Sequence, residues 1–153
     1  MTPRYFLAMA CAALLCAAGA AQAALPSPGN SIVPSFMVGS PDGAFTSTVT
    51  VRDIANNPVS GSIVVLSFSG CSAFRPCTTT CTGCTINFAA KTVTKTTNAA
   101  GQAAFDLRMG DDVCPNPPTV GVSADGVQLQ PSVFASLDQD GDFGGGSDDD
   151  SFA

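Results

Sequence analysis

The chain has 153 residues, 45% of them hydrophobic and 12% charged, with fifteen glycines and eleven prolines; this suits one small globular domain rather than two, or a wholly disordered chain. Its twelve acids are all aspartate against six Lys or Arg, and it has no histidine, glutamate or tryptophan. A Ser-His-Asp or Cys-His relay and a His-ligated zinc are therefore excluded, and the wealth of Thr, Ser, Val, Gly and Pro favours strands and turns over helices.

Residues 1–23 begin with a short region carrying Arg4, continue with an uncharged apolar stretch from Phe6 to Ala18, and end on the small-residue site Ala21-Gln22-Ala23. That is the pattern of a secretory signal peptide cleaved near Ala23. The stretch is alanine-rich and shorter than the roughly 20 apolar residues a membrane span needs, so no span is expected after cleavage. Lipid attachment is not expected either, because Leu15 precedes Cys16 and Ala8 lies three residues before Cys11. The expected location is outside the cell or on its surface. Cleavage leaves Cys71, Cys77, Cys81, Cys84 and Cys114 in an oxidising compartment, where disulfides are the default. Sequence does not choose among the pairings; the working assignment joins Cys71 to Cys77 and Cys84 to Cys114, leaving Cys81 over.

After a linker over 24–30, the body reads as strands. Phe45, Ser47, Val49 and Val51 alternate with Thr46, Thr48, Thr50 and Arg52, the period of a half-buried strand. Asn56-Asn57-Pro58 supplies a turn, and the β-branched run from Ser62 to Ser69 a second strand. Shorter strands are predicted over 85–88 and 92–97. Ala103, Phe105, Leu107 and Met109 alternate with Ala104, Asp106 and Arg108, and the run from Val120 to Ala124 folds back through Asp125-Gly126 to Val127 and Leu129 as a hairpin. Pro34, Pro41 and Pro131 mark edges or connections. About seven short antiparallel strands predict an all-β, immunoglobulin-like sandwich over 31–134, followed by an Asp/Gly-rich tail over 135–153. A core of this size is thin, and disulfides would add to it.

Three stretches carry a resemblance: Val49-Thr-Val-Arg-Asp53, then Asn57-Pro58-Val59-Ser-Gly61 with Val64-Val65-Leu66-Ser-Phe68, and Thr97-Asn-Ala-Ala-Gly101-Gln-Ala103-Ala-Phe105. Over about residues 43 to 125 the chain resembles the bacterial immunoglobulin-like repeats of the invasin and intimin type. It departs from them at Asn98, where Asp is usual, and in its cysteine-rich insertion. The resemblance implies a sandwich acting as a spacer or adhesive module outside the cell, without catalysis; it carries over no binding residues.

Within the insertion, Cys77-Thr-Thr-Thr-Cys81-Thr-Gly-Cys84 has the spacing of a three-cysteine iron-sulfur site. An exported, small, β-rich chain does not suit such a cluster, or a thiolate zinc site, and structural disulfides are expected instead. The six aspartates from Asp138 to Asp150 lie near the C-terminus with no basic residue among them, while the body is nearly neutral. This balance argues against nucleic acid and against anionic lipid as partners, and in favour of a cation. Asp138, Asp140, Asp142, the carbonyl of Gly144 and Asp149 fall at the first, third, fifth, seventh and twelfth places of a calcium loop. The segment looks like a degenerate form of the calcium loop of dockerin and EF-hand repeats. Phe143 stands at the place of the sharp-turn glycine, Gly145 replaces the apolar anchor, Asp149 is shorter than Glu, and only four residues follow it. Calcium is the one cofactor expected, weakly held; a solvated acidic tail is the competing reading.

The function expected is an exported, non-catalytic structural or adhesive module, calcium-stabilised, with a protein or surface glycan as partner. The alternative is a carbohydrate-binding or dockerin-like accessory module of an extracellular assembly, although sugar faces are usually met by Trp or Tyr and the mature chain has neither. Catalysis would rest on paired aspartates, and Asp111-Asp112 and Asp148-Asp149 stand in turn or tail contexts with nothing to frame a pocket. No enzyme is expected.

Overall fold

A computed structural model describes residues 24–40, 44–71, 75–76, 81–110 and 119–136. Residues 1–23, expected to be a signal segment, the tail from residue 137 onward, and Cys77, Asp111, Asp112 and Cys114 lie outside the described residues. All regular structure described is β: β1 Phe36–Gly39, β2 Ala44–Thr50, β3 Ile63–Ser67, β4 Arg75–Pro76, β5 Cys84–Asn87, β6 Thr92–Thr96, β7 Gln102–Gly110, β8 Thr119–Ala124, β9 Val127–Gln128 and β10 Ser132–Ser136.

The strands follow the order β4-β7-β2-β1-β10-β8-β3-β6-β5, with β9 also on β8. One layer is β4-β7-β2-β1, in which β2 and β7 pair antiparallel over seven residues, from Ala44 opposite Arg108 to Thr50 opposite Gln102. The other layer is β10-β8-β3-β6-β5, with β3 paired antiparallel to both β6 and β8. β1 joins the layers along one side, antiparallel to β2 at Gly39 and parallel to β10 from Phe36 opposite Val133 to Gly39 opposite Ser136. This is an immunoglobulin-like β-sandwich, all-β as its sequence predicts.

Alternation makes the core. Val49 and Val51 at β2, with Ala103, Phe105 and Leu107 on β7, supply one inner face; Val64 and Leu66 on β3, Val93 on β6, Val120, Val122 and Ala124 on β8 and Phe134 on β10 supply the other, and all belong to a single buried cluster. Phe68, just past β3, meets Phe134 edge to face with ring centroids 5.4 Å apart, a geometry that adds about 0.5–1.5 kcal/mol to the burial itself. Ser47 keeps its inward place in β2 and is buried, while its neighbours Thr46 and Thr48 are exposed.

Among the described residues ten strands appear where about seven were predicted, and the added ones have physical causes. The hairpin at Asp125-Gly126 forms, with positive φ at both residues. Its returning arm is split into β9 and β10 before Pro131, which has no N–H to give to the ladder. β1 and the two-residue β4 are too short for their periodicity to show.

Candidate functional site

Several loops gather at the pole where β2 ends. Ile32 bridges Thr50, Arg52 bridges Pro58, and the Ser27 N–H donates to the Arg52 carbonyl at 2.7 Å, so residues 24–32 lie against the same end of the sandwich. The turn beyond β2 is fixed by Asp53: its Oδ1 accepts from the Asn57 N–H at 2.8 Å and its Oδ2 from Asn57 Nδ2 at 3.2 Å. Those donors, the backbone N–H first, hold the Asp53 carboxyl below the usual carboxylate range, since both favour the charged form. Asn56 takes the left-handed conformation that Asn tolerates, and its carbonyl accepts from Arg52. Asn30 Nδ2 closes the loop from outside by donating to the carbonyls of Asp53 and Ile54.

A second turn packs on the first. Asn98 Oδ1 accepts from the N–H groups of Ala100 and Gln102, so the amide oxygen serves at the place where Asp was expected by resemblance. Gly101, at φ +73°, then lies so close to the first turn that a Cβ there would sit 2.5 Å from the Val51 carbonyl oxygen. Next to it, buried Thr97 donates through Oγ1 to the Val59 carbonyl at 2.7 Å and accepts from the Ser62 N–H at 2.9 Å. Against this framework Ala24, Leu25, Pro26 and Pro28 face Asp53 and Ile54 across an open groove of about 490 Å³. Leu25 and Ile54 are 69% and 85% exposed. On the outer face of β1, Phe36 and Val38 are also exposed. Sequence reasoning missed both apolar features, because neither sits in a segment whose period is long enough to assign a face.

Of the cysteines, Cys81 and Cys84 form a disulfide with their Cα atoms 5.4 Å apart, within the usual range for the bond. This corrects the working assignment, which gave Cys84 to Cys114 and left Cys81 over: three residues of separation and the Thr82-Gly83 turn, with Gly83 at φ +73°, place Cys81 within bonding reach of Cys84. Cys71 is buried and disulfide-bonded, and the ammonium of Lys91 donates to its carbonyl. Among the described residues, no three His, Cys, Asp or Glu side chains gather as a metal site, and no helix is long and apolar enough to cross a membrane. The candidate calcium ligands Asp138, Asp140, Asp142, Gly144 and Asp149 lie outside the described residues.

No family model and no curated protein matches the chain. Among solved structures it is similar to the adhesin InvE of Yersinia pseudotuberculosis, at 20% identity and a TM-score of 0.34, over 77% of this chain and 29% of that one. The chain thus spans less than a third of that protein's length.

Proposed function

We propose that the chain is an exported, non-catalytic spacer or adhesive module that acts on or outside the cell surface and engages a protein or glycan partner there. The observation that carries this reading is the parallel pairing of β1 with β10. The chain arrives beside Thr50 and Arg52, runs along β1, and leaves β10 at Ser136 beside Gly39. Ile32 lies opposite Thr50 and Gly39 opposite Phe45, five residue steps apart along β2, so the two attachment points are roughly 17 Å apart, at opposite poles. Tension between them pulls β1 and β10 in opposite directions along their shared ladder. Its hydrogen bonds are then loaded together in shear instead of being opened one at a time, as a load-bearing module requires.

In this reading the signal segment is removed at Ala23, and Asp138, Asp140, Asp142, Gly144 and Asp149 hold one calcium ion with a dissociation constant of about 0.1–1 mM, the range of extracellular modules. The spacer role is tested by pulling the exported protein from its two termini. Unfolding should occur in one high-force step that Val133→Pro lowers; a low-force, gradual opening would overturn the proposal. N-terminal sequencing of exported protein should begin at Ala24. Calorimetry with millimolar calcium should show heat that is lost when Asp140→Ala and Asp142→Ala are combined.

A further inference from the structure

We propose that the Cys81–Cys84 disulfide is a thiol-exchange site, opened by dithiol reductants while the rest of the sandwich stays folded. Three observations lead to it. Cys84 opens β5 and Cys81 lies just before it, and β5 is the last strand of its layer, so among the described residues one side of it has no neighbouring strand. The two residues between the cysteines, Thr82 and Gly83, are exposed, and both cysteines are half-buried where Cys71 is 2% exposed. Lys95 stands directly opposite Cys84 in the β5–β6 register, which puts their Cβ atoms about 5 Å apart on the same face of the sheet.

The chemistry follows from that placement. A thiolate of the incoming dithiol attacks the sulfur of Cys81; the S–S bond breaks and its electron pair leaves with Cys84, whose thiolate is stabilised by the Lys95 ammonium. The second thiolate of the dithiol then attacks its own sulfur in the mixed disulfide and releases Cys81. The dithiol becomes a disulfide, and the two cysteine thiolates take up two protons. The fold tolerates the opening because the bond closes a ring of only four residues, and the entropy a cross-link removes from the unfolded chain shrinks with ring size. The partner class is therefore a dithiol with neighbouring thiols, either a small molecule or a Cys-X-X-Cys protein, and the outcome is an edge strand whose first residue is free or tethered according to the redox state outside the cell.

The test is titration of the exported full-length protein with dithiothreitol at pH 7, quenching by alkylation, and peptide mapping. Cys81 and Cys84 should label together at reductant concentrations that leave Cys71 unlabelled and the melting transition cooperative. Lys95→Met should slow the opening about threefold, since a less stabilised thiolate leaves more slowly, and Lys95→Arg should restore the rate. The proposal is overturned if Cys71 labels as early, if Cys81 and Cys84 resist until denaturant is added, or if Lys95→Met opens at the unmodified rate.

Discussion

The loop pole around Asp53 and the cysteine turn that opens β5 both stand where regular ladders begin or end, yet they are held by different forces. At the pole, two turns far apart in sequence are locked by hydrogen bonds and by a close backbone approach at Gly101. At the edge, one covalent bond spans three residues and reaches no other element. Long-range contacts withdraw many chain conformations at once, whereas a short ring withdraws few. Stability should therefore respond steeply to changes at the pole and weakly to changes at the edge.

Gly101→Ala should break this contrast open most. A left-handed backbone costs a residue with a Cβ about 1–2 kcal/mol, and an overlap that displaces packed neighbours costs about 1–3 kcal/mol more. A loss of about 4 kcal/mol in urea denaturation is expected; a loss under about 1 kcal/mol would mean that the two turns part easily. Thr97→Val comes next. Valine keeps the shape but leaves the Ser62 N–H and the Val59 carbonyl without their buried partner, which should cost roughly 2–4 kcal/mol. Combining Cys81→Ser with Cys84→Ser should cost less, about 2 kcal/mol by the chain-entropy relation for a four-residue ring, with the cooperative melt retained. A cost above that at Gly101 would reverse the comparison.

The two regions also differ in how far sequence discloses them. The inward row Ser47, Val49, Val51 was legible although it contains a serine, because a strand assigns faces by period and not by residue type. The Asp125-Gly126 hairpin was legible for the same local reason, and the structure adds that Asp125 Oδ1 caps the Ile63 N–H. At the pole, the turn residues Asn57, Pro58 and Gly101 could be read, but not their docking, since it depends on residues some forty positions apart. β1 escaped notice because Phe-Met-Val-Gly is apolar on both faces, and only the fold decides that Met37 turns in and Phe36 out. The cysteine pairing could not be chosen because spacing permits several rings and the chain's geometry selects one.

The smallest effect expected is also the one that separates charge from shape at the pole. Asp53 binds its proton less readily in the folded chain than in the unfolded one, because the folded carboxylate accepts from Asn57. A carboxyl depressed in this way stabilises the fold above the ordinary carboxylate pKa, near 3.9, and that contribution is lost as pH falls through the lowered folded value. Asp53 is only half-buried and its carboxylate is screened by water, so the effect is small. Asp53→Asn keeps the size of the side chain and one acceptor oxygen but removes the charge and turns an amide toward Asn57 Nδ2. Thermal midpoints of the two proteins should differ at pH 7, with Asp53→Asn the lower, and converge in acid once pH has fallen through the lowered folded value. A gap that persists unchanged into acid would assign the loss to the altered hydrogen-bond pattern of the turn and not to the carboxylate charge.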